Sequence, residues 1–336
     1  MPLASMRSRS QFGELAAFYS GKNILVTGGM GYLATNLVAL LEGIDCSIVL
    51  LDLTDGAVMS PDGSAKIQCV VGDVRERPVW EQVLGGIDVV FHFAAQTSAY
   101  AANQDPFSDL DINVKPLLHL LEVSRHQSPH PIVLFSSTVT IAGIPARLPV
   151  DETHPDSPLT IYDVHKLMAE QYLKLYARLG IVKGAILRLA NVYGPGPASS
   201  RSDRGVLNQM VRKALDGESL TVYRPGDRLR DYVYVEDVAL AFVQAAGNID
   251  ELNSEHFLIG SGQGHTIGEA IDLVAERVAL RTGIHAPVVY VDPPAELSPI
   301  EDRDFVADSR HFSQRTGWQA CCSLAEGIDR TVEALS

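Results

Sequence analysis

Short apolar runs alternate with helical stretches over the first 190 residues, and this alternation is what most constrains the fold. The runs are rich in Val, Ile, Leu and Phe, as is typical of strands covered on both faces of a parallel sheet. Strands joined through helices form right-handed crossovers, so we expect an α/β protein with a doubly wound parallel sheet. The runs begin at Asn23, Ser47, Lys66, Ile87, Pro131 and Gly184, and the helical stretches cover 31–43, 78–84, 107–126 and 161–179.

Composition excludes several classes of protein. Of 336 residues, 46% are hydrophobic and 20% charged, which is typical of a folded chain. The net charge of −14 argues against a protein that binds a nucleic-acid polymer. The four cysteines lack the spacing of a metal site, and no run approaches the roughly 20 apolar residues that span a bilayer. We therefore expect a cytoplasmic protein without metal or membrane contact.

The turn after the first run carries the first chemical motif. Gly28 and Gly31 stand in a G-x-x-G-x-x-A pattern between a strand and a helix, where a side chain would block a pyrophosphate. A glycine-rich turn without a ligand is the alternative. Asp52 favours the ligand, because a carboxylate 24 positions after Gly28 can bind the ribose hydroxyls of an adenosine.

Asp52 also favours NAD over NADP. No Lys or Arg occurs from Leu51 to Ala65 to neutralise a 2′-phosphate beside this carboxylate. Further along, Asp73 in the sequence GDV closes the third run. Its carboxylate is a candidate acceptor for the adenine amino group, and a helix cap is an equally ordinary interpretation.

Tyr162 and Lys166 form a second motif, YDVHK, at the start of a helical stretch. Four positions are slightly more than one turn, so the two side chains share a face. An ammonium about 4 Å from a phenol stabilises the phenolate by up to roughly 4 kcal/mol, or about 3 pKa units. Tyr162 then becomes a usable general base. A chance pair on a surface helix is the alternative. The dinucleotide turn in the same chain argues against it, because hydride transfer to a dinucleotide needs a base for the hydroxyl proton.

Thr138 ends the fifth run, FSST, at the sheet edge where α/β proteins bind ligands. Its hydroxyl can share the proton of a substrate hydroxyl with Tyr162. A polar strand end without a function is the alternative.

The chain resembles the extended short-chain dehydrogenase/reductase superfamily, and within it the NAD-dependent nucleotide-sugar epimerase/dehydratase family. The resemblance covers most of the chain and implies a Rossmann fold. It rests on motifs in one order: TGGMGYLA, Asp52, GDV, HFAAQ, FSST, YDVHK, NVYGPG and RLRDYVYVEDVA.

The resemblance implies roles for particular residues. Thr138, Tyr162 and Lys166 match the catalytic set. Asn191, Arg230 and Arg303 match groups that contact the substrate diphosphate, although surface salt bridges are the usual fate of arginine. Asn113 matches an asparagine near the catalytic set that we expect to be structural. The NAD site would comprise Gly28, Gly31, Tyr32, Leu33, Asp52, Asp73, Val74, Phe93, Ala94, Ala95, Ser136, Tyr162 and Lys166.

Three segments are expected. Residues 1–20 form an N-terminal extension and residues 21–190 an NAD-binding Rossmann domain. Residues 191–336 form mainly a smaller α/β substrate-binding lobe, with some segments returning to the first domain. The loops between Pro195 and Arg224 would recognise the nucleotide base, and helices are expected at 235–246 and 267–279.

Departures from the family pattern narrow the reaction. Family dehydratases carry Asp-Glu directly after the catalytic threonine, whereas Val139-Thr140 stands here, so a 4,6-elimination is disfavoured. Ala142 replaces a family tyrosine. We expect an NAD-dependent nucleotide-sugar 4-epimerase that acts as a homodimer through the helices near 107–126 and 161–179. The alternatives are a 4-keto-sugar reductase or dehydratase and, from another class, a non-catalytic dinucleotide sensor.

Overall fold

The computed structural model describes residues 9–56, 63–197, 205–294 and 298–336. Within these ranges the six apolar runs are all strands, and six more strands follow. The strands are β1 Asn23–Thr27, β2 Ser47–Asp52, β3 Lys66–Val71, β4 Val89–His92, β5 Ile132–Thr138, β6 Lys183–Leu189, β7 Asn191–Tyr193, β8 Leu220–Tyr223, β9 Leu229–Tyr234, β10 His256–Ile259, β11 Gly264–Thr266 and β12 Val288–Val291.

Helices connect these strands. They are α1 Arg9–Tyr19, α2 Tyr32–Leu41, α3 Arg77–Val83, α4 Ala99–Gln104, α5 Pro106–Asn113, α6 Lys115–Ser124, α7 Ile161–Arg178, α8 Val206–Leu215, α9 Val235–Gly247, α10 Ile249–Leu252, α11 Ile267–Thr282, α12 Arg310–Thr316 and α13 Leu324–Leu335, with two short 3₁₀ turns at Val139–Ala142 and Pro299–Asp302.

A seven-stranded parallel sheet in the order β10-β6-β5-β4-β1-β2-β3 forms the centre of the molecule. Helices α2 and α9 cover one face, and α3, α6 and α7 cover the other. The expected doubly wound parallel sheet is therefore confirmed. The strand order reverses between β1 and β4, and the carboxyl ends of these strands border the crevice where such sheets bind ligands.

The prediction of a single helix over 107–126 is wrong, because the chain forms α5 and α6 there with a break at Val114. Val114 departs from ideal helical geometry, with φ −118° and ψ −54°. Pro116, in the first turn of α6, has no N–H to continue the hydrogen bonds of α5. The other expected helices lie within three residues of their observed ends.

The chain after residue 191 builds smaller sheets and also returns to the large one. β7, β9 and β11 form a three-stranded sheet, and β8 pairs with β12. α8, α11 and α13 pack around a second apolar core beside them. β10 pairs in parallel with β6 and so supplies the last strand of the large sheet. No helix within the described ranges is both long and apolar enough to cross a membrane.

The N-terminal helix α1 packs against α9 and contributes to the main core. Tyr19 is fully buried at its end, and the Tyr19 hydroxyl donates a 2.9 Å hydrogen bond to the carbonyl of Val243. The first residues of the described chain are thus tied to a helix more than 200 positions away.

We expect Tyr19→Ala to lower the free energy of unfolding by about 3 kcal/mol, because it leaves a cavity in the main core. Tyr19→Phe keeps the ring and loses only the hydrogen bond, so we expect a loss of about 1 kcal/mol. Urea unfolding of both variants measures the difference. If neither Tyr19→Ala nor Tyr19→Phe lowered the free energy of unfolding, the packing of α1 as part of the core would be contradicted.

Candidate active site

The turn between β1 and α2 has no space for side chains at Gly28 and Gly31. Gly28 has φ +66°, and a Cβ there would lie 3.0 Å from the amide nitrogen of Ala94. A Cβ at Gly31 would lie 2.9 Å from the carbonyl oxygen of Gly28. No side chain caps the N-terminus of α2. The N–H groups of this helix start, at Tyr32 and Leu33, therefore suit a diphosphate.

The Thr27 hydroxyl joins this turn to the end of β4. It accepts the N–H groups of Phe93 and Ala94, each at 3.1 Å, and lies 2.8 Å from Nδ1 of His92. Burial and the nearby Lys166 charge lower the pKa of His92 to about 3, so the ring is neutral. The segment from Phe93 to Ala95 is thereby fixed beside Gly28.

Asp52 ends β2 next to the same turn. Its Oδ2 accepts the N–H of Met30 at 3.0 Å, and its Oδ1 accepts the N–H of Thr54 at 3.3 Å. Within the described ranges no lysine or arginine forms an ion pair with Asp52. Carboxylate and glycine turn together fit a dinucleotide with a free ribose 2′-hydroxyl.

Other residues of the expected cofactor site have protein partners. Asp73 accepts hydrogen bonds from the Arg75 side chain and from the Arg75 N–H, so its carboxylate is engaged by Arg75 and does not cap α3. The Tyr32 hydroxyl donates to the carbonyl of Gly194 at 3.1 Å. Val74 is buried, and the Ser136 hydroxyl donates to the carbonyl of His92.

Helix α7 carries Tyr162 and Lys166 in its first two turns. Thr160 and Asp163 form a capping box that starts the helix. Tyr162 is buried against Ala99 and Ala102 of α4.

Lys166 is almost fully buried, and its Nζ lies 4.1 Å from the ring centre of Phe135. Burial lowers the pKa of Lys166 to about 7, against the opposing attraction of Glu170 and Asp109. An amine that gains and loses its proton near neutrality is therefore present one turn from Tyr162.

Thr138 reaches the same region from the end of β5. Its Oγ1 lies 2.7 Å from Oγ1 of Thr140, and the Thr140 hydroxyl donates to Asp163 at 2.5 Å. Sequence reasoning missed Thr140 and Asp163 as part of this network. The pattern T160-x-x-D163, which predicts a capping box, was the available signal for Asp163.

A second buried network fixes the outer end of this helix segment. Glu170 is fully buried and accepts hydrogen bonds from the Arg188 guanidinium, at 2.9 and 2.7 Å, and from the Ser137 hydroxyl at 2.5 Å. Arg188 also pairs with Asp156 at 2.6 Å. These contacts join α7 to β5 and β6, and they place Tyr162 and Lys166 relative to Thr138.

Asn113 belongs to a third buried network, as its expected structural role requires. Its Nδ2 donates to Oδ1 of Asp109 and to the carbonyl of Gln96, both at 2.9 Å. Asp109 in turn lies 2.7 Å from Nδ1 of His165 on α7.

Arg230 and Arg303 are buried rather than exposed, so the surface salt-bridge interpretation is wrong for both. The Arg230 guanidinium donates to the carbonyls of Glu301, at 2.9 Å, and Arg303, and its Nη2 lies 3.5 Å from the Glu301 carboxylate. Arg303 Nη1 donates to the carbonyl of Ile300 at 3.0 Å. Arg230 therefore holds the segment that carries Arg303. Asn191 is half-buried in β7.

Two further positions singled out in the sequence are Ala142, in the same 3₁₀ turn as Thr140, and the stretch from Pro195 to Arg224. Ala142, which replaces a family tyrosine, is buried in the main core. The loops expected to recognise the base run from Pro195 to Arg224, and residues 198–204 of that stretch lie outside the described ranges.

Comparison with known proteins gives consistent matches. A UDP-glucose 4-epimerase from Mycolicibacterium smegmatis is 31% identical and covers 92% of this chain and 97% of its own length. A UDP-glucose 4-epimerase from Thermotoga maritima, solved with UDP-glucose, superposes with a TM-score of 0.82 at 31% identity, over 93% of this chain and 98% of its own. The Thermus thermophilus UDP-glucose 4-epimerase in complex with NAD superposes with a TM-score of 0.78 at 29% identity over the same shares.

The family model described as the NAD dependent epimerase/dehydratase family matches residues 24–260, which include the glycine turn, Asp52, Thr138, Tyr162 and Lys166. With this match and with a Rossmann fold that fits a dinucleotide, the chain belongs to the NAD-dependent epimerase/dehydratase family of enzymes, whose cofactor is NAD.

Proposed function

We propose that this protein is a nucleotide-sugar 4-epimerase that uses NAD and acts on a UDP-sugar. The proposal is supported chiefly by Tyr162 and Lys166 one turn apart on α7, and by Thr138, which ends β5 and is linked through Thr140 to Asp163 of the same helix. The relatives and structural neighbours named as UDP-glucose 4-epimerases support the same reaction class.

The cofactor site uses groups already described. The glycine turn and the start of α2 hold the NAD diphosphate, and Asp52 accepts the adenosine ribose hydroxyls. When bound, NAD would supply the hydride acceptor for oxidation of the sugar at C4 and the hydride donor for the return to an alcohol of either configuration. The hydroxyl of a C4 carbinol must lose its proton in the first half of this cycle and regain it in the second.

Tyr162 performs that proton transfer. It takes the C4 hydroxyl proton as a phenolate and returns it as a phenol, and protonated Lys166 favours the phenolate by charge. Burial lowers the pKa of Lys166 to about 7 against the attraction of Glu170 and Asp109, so both the ammonium and the amine are accessible near neutral pH. Thr138 contacts the same substrate hydroxyl from β5.

The substrate diphosphate lies toward the C-terminal part of the chain in this proposal. Asn191, Arg230 and Arg303 are the proposed contacts, and Arg230 also holds the segment that carries Arg303. The backbone of Arg303 is held by Arg230, and a guanidinium on such a fixed segment suits bidentate contact with phosphate oxygens.

The rival reactions lack supporting groups. A 4,6-elimination needs an acid and a base beside the sugar, and positions 139 and 140 carry Val and Thr. A reductase that commonly takes NADPH needs a cation for the 2′-phosphate, and Asp52 has no such ion pair within the described ranges. A dinucleotide sensor has no use for a buried lysine beside Tyr162.

We further propose a homodimer built on α5 and α7. Apolar residues of α7 and its C-cap remain exposed along one helical face, at spacings of four, seven and four positions: Val164, Met168, Leu175 and Leu179. Phe107 of α5 is 80% exposed. A second copy of the same face would cover these side chains.

Tyr162→Phe tests the reaction. We expect turnover of UDP-glucose to UDP-galactose to fall at least about 100-fold, because the base is removed, while NAD bound per chain stays unchanged. Coupled assay and quantification of NAD released on denaturation measure the two quantities. Tyr176→Phe, on the same helix but bonded to Glu122, is the matched control. Turnover that survives in Tyr162→Phe contradicts the proposal.

Lys166→Met tests the buried amine in NAD-free protein. The folded pKa of about 7 lies below the ordinary 10.5, so between these values the unfolded chain binds more protons and the stability of the wild type rises with pH. We therefore expect Lys166→Met to be more stable than wild type by a few kcal/mol below about pH 7, with the difference shrinking toward about pH 10.

Urea unfolding across this range measures the effect, and Lys183→Met, at an exposed lysine, is the control. If the difference in free energy of unfolding between Lys166→Met and wild type did not vary with pH, the lowered pKa of Lys166 would be contradicted.

Leu175→Glu tests the dimer. A charge in the proposed interface is costly to bury, so we expect wild type to elute as a dimer and Leu175→Glu as a monomer in chromatography with light scattering. Leu280→Glu changes a more exposed leucine on α11 and should stay dimeric. Monomeric wild type would overturn this part of the proposal.

A further inference from the structure

Three side chains form a continuous hydrogen-bonded chain from the sheet edge into α7. Thr138 Oγ1 lies 2.7 Å from Thr140 Oγ1, and Thr140 Oγ1 lies 2.5 Å from Asp163 Oδ1. Asp163 is almost fully buried, and the two threonines are half-buried. Thr138, at the end of β5, is thus linked to a carboxylate that stands directly after Tyr162.

The direction of each hydrogen bond follows from the groups themselves. A carboxylate only accepts, so the single proton of the Thr140 hydroxyl goes to Asp163. Thr140 Oγ1 then has only lone pairs for Thr138, which must donate its own proton. Thr138 Oγ1 also accepts the N–H of Thr140 at 3.2 Å, which leaves it one lone pair for a further hydrogen bond.

The carboxylate state of Asp163 is supported by its remaining partners. Its Oδ2 accepts the Thr160 N–H at 3.2 Å and the Thr160 hydroxyl at 2.7 Å. These two bonds make the helix cap, whereas Oδ1 serves Thr140. The cap and the contact with Thr140 therefore use different oxygens of one carboxylate.

We propose that Thr140 and Asp163 are positioning residues that hold the Thr138 proton away from the substrate. Thr138 then meets the substrate hydroxyl as a hydrogen-bond acceptor, beside the phenolate of Tyr162. A freely rotating threonine would donate to the oxygen that has to lose its proton, or to the phenolate that has to take it. This inference rests on the proposed function for its kinetic consequence and on the hydrogen bonds alone for the proton direction.

Three variants separate positioning from folding. Thr140→Val keeps the shape and the cap but removes the hydroxyl, so we expect kcat to fall about tenfold with KM within about twofold of wild type. Thr140→Ser restores the hydroxyl and should restore kcat to within about twofold.

Asp163→Asn keeps an oxygen for Thr160 and offers an amide donor to Thr140, which reverses the chain and turns the Thr138 proton toward the substrate. We expect the same fall in kcat with a thermal midpoint near that of wild type. Glu269→Gln alters the acidic member of the capping box of α11, away from the site, and is the matched control. Wild-type kcat in Thr140→Val, or no rescue by Thr140→Ser, overturns the proposal.

A neutron crystal structure of the wild-type protein tests the proton direction without any substrate. The expected deuterons lie on Thr138 toward Thr140 and on Thr140 toward Asp163. A deuteron on Asp163, or a Thr138 deuteron that points away from Thr140, overturns the proposal. If wild type fails to interconvert UDP-glucose and UDP-galactose, the proposed function fails, and the deuteron positions still decide the positioning.

Discussion

The buried ion pair between Glu170 and Arg188 is the contact on which the arrangement of the site depends. Glu170 has no exposed surface, and Arg188 meets it with two nitrogens. Removal of one partner from such a pair strands a buried charge and costs about 3–5 kcal/mol. Since Glu170 also accepts from Ser137, next to Thr138, the pair fixes α7 against β5 and β6. Because Tyr162 and Lys166 lie on the same helix as Glu170, the ion pair also helps to fix their positions.

Buried carboxylates perform a similar task in the C-terminal part. Asp231 accepts hydrogen bonds from the backbone of Ser261, Gly262 and Ala307, and burial raises its pKa. Asp237 accepts the N–H groups of Cys321 and Cys322. Backbone N–H groups therefore supply the hydrogen bonds that these two buried carboxylates need. The net charge of −14 says little about the ligand, because the proposed phosphate contacts are a helix start and buried arginines.

Sequence patterns predicted the elements that depend on local chemistry. Runs of branched apolar residues located the first six strands because helices cover both faces of most of the sheet, although the edge strand β3 has no buried residue. The sequence patterns failed where a single residue ends a helix. Pro116 divides the helix expected over 107–126 into α5 and α6. The segment 1–20 carries no pattern that indicates a role in the core, yet Tyr19 packs there through a partner at Val243.

The sequence by itself determined the parallel sheet, the glycine turn with Asp52, and the shared face of Tyr162 and Lys166. The glycine turn and the shared face follow from backbone geometry over a few residues, whereas the sheet and the place of Asp52 follow from the alternation of strands and helices. Only the tertiary structure decided the partners of those side chains. The contacts of Thr140 with Asp163, Glu170 with Arg188, and Arg230 with Glu301 join residues 18 to 71 positions apart. Periodicity does not predict such partners. A buried polar group needs a hydrogen-bond partner, and the path of the chain determines which residues lie beside it.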